Sequence, residues 1–479
     1  MVTKVFSDIY YGATDPILEK AAKKHKYDLF LLTDVDVPWQ KDDLRDSPHH
    51  REETLRIFEE NLIHYNKPYL KLSGSKDKRF QKAVALISNL LEAKKIELNS
   101  FDFIQLNQRE IKLELVKNQI GFLTNGIQAV QLERPAKLND GIESLSMEEA
   151  TYYANFFDEK RNHLKLKKFV PASGAASRMF KFLSEFLQDY KLGEESINAY
   201  INRKKAKNLS LFLIGLDKFP FYKEVIKQLK NQYPDFDNWG YDSKHYAFIK
   251  SLLSKNEFDF ANKPKGVLPF HKYSSHVATP IEEHLNEAVA YASSNQKAHL
   301  HFTVSEEHQS DFEKIVEKVK AKIETASETE IYVYYSYQDK STDSIALDFD
   351  NNFFREDNES LVFRPGGHGA LIQNLNSLDA DVIFIKNIDN VIQNHIEEIS
   401  LYKKALAGIL LDKQQQIFEY LRLLDEDNAT KETLDEIVVF IQSKLHFEVV
   451  EDFSKYTKES KIAFRYPGNF KRIRSQYRN

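Results

Sequence analysis

Four short stretches gather the residue types that handle phosphate. In "VPASGAASRM" a strand-like run ends at Val170 and gives way to Ser173, Gly174, Ala175, Ala176 and Ser177, with a helix predicted to open near Arg178. Side chains this small leave backbone N–H groups free to surround an anion, a helix dipole adds a favourable field, and Arg178 can reach charge that builds on a leaving group. A tight turn that merely lets helix and sheet approach is the other reading of the same residues. In "NKPKGVLPFHKY" Lys265 stands between Pro264 and Gly266, a stiff setting for a cation that clamps phosphate or, alternatively, for a solvated lysine. "LVFRPGGHGALIQNLNSL" sets Gly367 and Gly369 around His368, so that backbone can approach a flat or anionic group before a helix starting at Ala370. In "DADVIFIKNIDNV" an apolar run ends in Asn387, Asp389 and Asn390. Asp389 is the best metal-ligand candidate, because Mg2+ is usually held by one or two carboxylates together with substrate phosphates; a turn-forming Asn/Asp cluster is the alternative. Glu282, Glu283 and His284 lack metal-ligand spacing and read as a mostly solvated helix face.

The elements that must position these residues follow from periodicity. Tyr27 to Thr33 and Pro68 to Gly74 read as strands, Arg51 to Tyr65 and Asp77 to Lys94 as helices, the order of a piece of parallel α/β sheet. A long charged loop, "DVDVPWQKDDLRDSPHH", leaves the first strand at the end where such sheets carry ligand contacts. A partial sheet of this kind exposes an edge that something must cover. From about Glu97 the pattern changes, and Ser146 with Glu149 three residues on forms a capping box ahead of a helix. Strand and helix alternate to about Asp389. Thr279 caps a helix with Pro280 at its first position, and Val382 to Ile385 reads as a continuous apolar strand inside a parallel sheet. Beyond Asp389 the chain reads as helical to Val450, followed by a basic, aromatic-rich tail, a solvated terminus or an RNA-contacting arm.

Composition narrows the chemistry further. At 479 residues with 42% hydrophobic side chains the chain is long enough for two or more cores. A formal net charge of -5 argues against wholesale coating of nucleic acid or membrane. The absence of cysteine excludes disulfides, thiolate metal sites and cysteine nucleophiles. No basic-flanked apolar leader and no run near eighteen apolar residues is present, so the cytoplasm is the expected compartment.

Two resemblances order these observations. "TKVFSDIYYG", "YDLFLLTDVDVPWQKDDLRDSP" and "PYLKLSG" resemble the C-terminal half of nicotinamide riboside kinase-like P-loop ATPases. Residues 1–95 are then a partial P-loop-kinase-like unit; Arg45 is implied as a lid arginine, and with no G-x-x-x-x-G-K-[ST] in the sequence no independent kinase activity is expected. The chain from about residue 98 to 450 resembles the bacterial family called domain of unknown function 4301, itself similar to UDP-sugar pyrophosphorylases. "FVPASGAASRMFKFL", "PKGVLPFHKY", "TPIEEHL", "FRPGGHGALIQNLN" and "FIKNIDNV" carry that similarity, and 451–479 is a basic tail. The resemblance implies an α/β fold with a mixed, mostly parallel sheet of nucleotide-diphospho-sugar transferase type, helices on both faces and a helical C-terminal segment. It implies a Mg2+-dependent nucleotidyltransferase whose partners are a nucleoside triphosphate and a sugar phosphate. Ser173, Gly174 and Ala175 would line the phosphates, Arg178 and Lys265 would stabilise the triphosphate charge, Gly367, His368 and Gly369 would sit against the base, and Asp389 would hold the metal. The alternative is a nucleotide-binding or interaction protein that keeps the fold without the chemistry.

Overall fold

A computed structural model describes residues 1–38, 50–127, 129, 132, 134–425 and 430–445. The charged loop around Arg45 and the basic tail lie outside the described residues. The chain divides into two compact units, Met1–Gln131 with Asp339–Ala370, and Leu132–Gln338 with Leu371–Asn479.

The first unit is built on a parallel pair of strands, β1 (Phe30–Thr33) and β2 (Tyr69–Leu72), with Leu31 opposite Leu70. They are joined through helix α1 (Arg51–His64). Neither strand is buried throughout, because two strands alone cannot be covered on both faces. Helix α2 (Lys76–Lys95) follows with Ser75 as its cap, and α3 (Ser100–Gln108) opens on a capping box of Asn99 and Asp102. These helices and α4 (Leu113–Asn125) bury Leu86, Leu90, Leu98, Phe103, Leu106 and Val116 in one core. The 339–370 segment joins that core through Ile345 and Leu361. It is fixed by polar contacts as well: Arg355 grips the buried Asp102 carboxylate with two bonds of 2.7 and 2.9 Å, and Gln105 pairs with both backbone groups of Leu361.

The second unit carries a five-stranded, mostly parallel sheet. Its strands β3 (Leu166–Pro171), β4 (Lys297–Thr303), β5 (Glu330–Ser336) and β6 (Val382–Ile385) run parallel in the order β5-β4-β3-β6, and the stub Ser293–Ser294 pairs antiparallel with β4. Val170 lies opposite Phe302, Leu300 opposite Val333, and Phe169 opposite Ile385. With period-two alternation, Val170, Leu300, Phe302 and Ile331 point to one face and pack against helices α6 (Pro280–Tyr291) and α7 (Gln309–Ser327). Strand β6 sits at the edge of this path rather than inside the sheet, and Ile385 is accordingly 53% exposed; the apolar run that suggested an interior strand is used on one face only. Helix α5 (Met147–Lys160), with the expected capping box of Ser146 and Glu149, crosses α8 (Ile396–Asp425) so closely at Gly408 that any Cβ there would collide with the carbonyl of Tyr153.

Between β3 and α6 the chain does not alternate strand and helix as expected. Residues 181–253 fold instead into a helical lobe whose core is largely aromatic, including Phe186, Tyr190, Tyr200, Phe212, Phe221 and Phe248. Dense aromatic spacing in this stretch serves helix packing, which periodicity over short windows does not distinguish from strand.

Candidate functional site

The C-terminal ends of the parallel strands in the second unit are where loops collect, and three of the four phosphate-type stretches meet there. The turn after β3 lies beside the Pro-Lys-Gly segment as an antiparallel bridge between Ala175 and Pro264. Its amide at Ala176 donates to the Lys263 carbonyl at 3.0 Å, and the Lys265 amide donates to the Gly174 carbonyl at 3.3 Å. The Ala176 N–H is therefore spoken for, whereas the amides of Ser173, Gly174 and Ala175 donate to no group among the described residues. A Cβ on Gly174 would meet nothing within 4 Å, so there is open space over this backbone. The chain does not enter an α-helix at Arg178: Ala176–Arg178 is a 3-10 turn, and the α-helix begins only at Lys181. The bridge to 263–265 holds the turn extended for longer than the small residues suggested, so it is open backbone amides and not a helix N-terminus that this turn presents. Arg178 is exposed and has no side-chain partner among the described residues.

Gly266 explains how a lysine far along the chain reaches Asp389. A Cβ at Gly266 would lie 3.0 Å from Phe312 Cζ and 3.1 Å from Ile388 Cδ1, so only glycine lets this backbone settle onto the core beside Ile388. That seating carries Lys265 to the loop after β6, where its Nζ contacts Asp389 Oδ2 at 2.6 Å. The pair is 29% and 39% exposed and is open to solvent and ligand.

Beneath it lies a dry polar cluster that residue patterns did not disclose. Glu283, His284 and Glu287 are fully buried on α6, not on a wet face. Lys168, on the inner face of β3, is equally buried and donates to Glu287 at 2.9 Å and to the His284 carbonyl at 3.2 Å. Lys386, just past β6, reaches the other Glu287 oxygen at 2.5 Å, and the Tyr291 hydroxyl donates to Glu287 at 2.8 Å. Burial pushes the Lys168 ammonium down to about 7 despite the attraction of Glu287. Burial also works to raise the Glu287 carboxyl, but Lys168 and Lys386 together outweigh it and hold the group below the usual range. Burial and the two ammoniums keep His284 neutral, so its Nε2–H donates to the Ile388 carbonyl at 3.3 Å, next to Asp389. Neither oxygen of Glu283 has a hydrogen-bond partner among the described residues. Burial pushes that carboxyl up to about 7, against a smaller opposing influence from the Tyr273 hydroxyl. Tyr273 in turn accepts the Gln393 amide at 2.9 Å. The loop carrying Asp389 is thus pinned to α6 at Lys386 and Ile388, and to Tyr273 at Gln393.

Gly367 and Gly369 belong to the first unit; a 3-10 turn spans His368–Leu371, and the α-helix starts at Ile372, two residues after the predicted Ala370. His368 lies in that turn. Neither glycine takes a positive φ, and a Cβ on either would meet nothing within 4 Å. No group of three or more His, Asp or Glu side chains fit to hold a metal exists among the described residues. Asp389 supplies a single carboxylate, which suits a cation that arrives with phosphates better than a resident one. No helix of the described residues is long and apolar enough to cross a membrane.

Comparison with known families agrees with the resemblances. The chain belongs to the family described as Domain of unknown function (DUF4301), whose model matches residues 99–470, and residues 1–79 match an AAA domain. No curated protein and no solved structure matches the chain.

Proposed function

We propose that this member of the family is a nucleotidyltransferase that joins a nucleoside triphosphate to a sugar phosphate and releases pyrophosphate. The observation that carries the reading is the meeting, at the C-terminal edge of one parallel sheet, of a turn with open amides, Lys265 and Asp389. α/β sheets bind ligands at that edge. A phosphate oxygen of the sugar phosphate attacks the α-phosphorus of the triphosphate, the bond from that phosphorus to the β-bridging oxygen breaks, and the electron pair leaves with pyrophosphate. The amides of Ser173, Gly174 and Ala175 hold phosphate oxygens. Lys265 and Arg178 neutralise the β- and γ-phosphates as charge moves onto them. Asp389 and the phosphates would together hold Mg2+, which supplies charge neutralisation when bound. The buried Lys168–Glu287–Lys386 cluster keeps the Asp389 loop in register, so that orientation rather than a covalent step is the protein's contribution.

The test is pyrophosphate release from each of the four common nucleoside triphosphates with Mg2+ and a panel of sugar 1-phosphates. Turnover that falls at least a hundredfold in Arg178→Ala and Asp389→Ala supports the reading. A second reading, binding without turnover, draws on the Lys265–Asp389 pair, which already satisfies both charges before any ligand arrives. Triphosphate binding with no pyrophosphate from any combination would select it.

A further inference from the structure

The opposite face of the same sheet holds a group of neutral polar side chains that the phosphate chemistry does not use. His301 and Thr303 on β4 and Ser336 on β5 share this face by period-two alternation, and Ser305 lies two residues past Thr303. Thr303 is paired in register with Ser336 on one side and Pro171 on the other, at the C-terminal ends of all three strands. Ser336 Oγ is 2.7 Å from His301 Nε2 and receives an amide N–H of Asn374 at 2.8 Å, while Asn374 also donates to the Tyr337 carbonyl at 2.7 Å. Three buried polar atoms here have no hydrogen-bond partner among the described residues: Thr303 Oγ1, Ser305 Oγ and Asn374 Oδ1. Thr303 is fully buried, so its hydroxyl was taken out of water without compensation. Native interiors leave few such groups, and each one calls for an explanation.

What would meet them follows from their chemistry. Burial holds the His301 imidazole down to about 4, so the ring is uncharged at physiological pH. Two hydroxyls and a carboxamide oxygen, all neutral, suit a ligand rich in hydroxyl groups, each able to donate and accept. Flat rings lie alongside: His301 stacks on Phe169 at 5.8 Å, and His299 stacks on Tyr332 at 4.9 Å and on Tyr334 at 6.0 Å. The place is also right, because the Ala172 amide donates to the Thr303 carbonyl at 2.9 Å, one residue before the phosphate turn starts at Ser173.

We propose that Thr303, Ser305, Ser336 and Asn374 form the subsite for the hydroxylated ring of the acceptor sugar, a neutral recognition site beside the anionic one. This rests on the nucleotidyltransferase reading for its biological sense but not for its detection. Ring hydroxyls satisfy the three orphan atoms, and the phosphate carried by the sugar points toward Ser173 and Gly174.

Saturation-transfer NMR with unphosphorylated hexoses tests the subsite directly, and a thermal-shift titration with inorganic pyrophosphate reads the anionic site separately. Saturation of hexose ring protons is expected for at least one sugar. Asn374→Leu should lose it, with at least tenfold weaker binding. Thr303→Val should also lose it while keeping or raising Tm, since it removes an uncompensated hydroxyl. Pyrophosphate binding should be unchanged in both variants. Hexose binding with no pyrophosphate effect would fail the phosphate reading and leave this one standing. Absence of saturation from every hexose and hexose 1-phosphate, or saturation untouched by Thr303→Val, would overturn the proposal and leave the orphan atoms to buried water.

Discussion

Two lysine–carboxylate pairs lie close together in the second unit and differ in one respect. Lys168 and Glu287 are 2.9 Å apart with neither side chain exposed, and Lys265 and Asp389 are 2.6 Å apart with about a third of each exposed. Taking an ion from water into a protein interior costs several kcal/mol, so the dry pair survives only by recruiting Lys386, Tyr291 and the His284 carbonyl. It is therefore fixed. A surface pair contributes about 0–1 kcal/mol, so its two ions give up little when they turn to another partner. The same chemistry positions a loop where it is dry and stays available to a ligand where it is wet.

The largest effect expected of breaking this contrast is on the dry side. Glu287→Ala strands two ammoniums with no carboxylate and should lower unfolding free energy by about 3–5 kcal/mol in urea denaturation. A loss below 1 kcal/mol would mean that the cluster is not the dry lock described. Gly266→Ala should cost roughly 1–3 kcal/mol, because its methyl presses on Phe312 and Ile388, and it should weaken triphosphate binding by shifting Lys265 away from Asp389.

Titration sharpens the comparison. Glu283, pushed up to about 7 from an ordinary 4.5, binds a proton in the folded state that the unfolded chain has already released. Its contribution to stability is fully present below 4.5 and is lost as pH rises through 7. Lys168, depressed to about 7, has the opposite sign, with a contribution that is lost as pH falls through 7. Subtracting the Glu283→Gln stability curve from that of the parent isolates the first. The parent should lose roughly 1–3 kcal/mol relative to the variant between pH 5 and pH 8. The smallest effect belongs to the wet pair, where Lys265→Ala should change unfolding free energy by less than about 1 kcal/mol.

The residues of the wet pair stood out in the sequence, though not their pairing, and those of the dry one did not, for a physical reason. Small residues followed by arginine, a lysine between proline and glycine, and an aspartate after an apolar run announce themselves because loops tolerate unusual residues only where backbone or ligand requires them. Caps were legible for a similar reason: Ser146 with Glu149, and Thr279 with Pro280, act within four residues of chain. Lys168, Glu283, His284 and Glu287 look like ordinary solvated charges, since nothing local says that a lysine on β3 will find a glutamate more than a hundred residues away. The membership of residues 339–370 in the first unit's core has no local signal either, because it depends on Arg355 meeting Asp102 across 253 positions. The helical lobe was hidden by aromatic residues that suit strands and helix interiors alike.

The central claim is that the turn at 173–176, Lys265 and Asp389 form one polyanion site. Isothermal titration of the parent chain and of Lys265→Met with a Mg2+–nucleoside triphosphate tests it most directly. At least tenfold weaker binding in a variant whose Tm is unchanged is the predicted result. Equal affinity in parent and variant, or no heat from any of the four triphosphates, would contradict it.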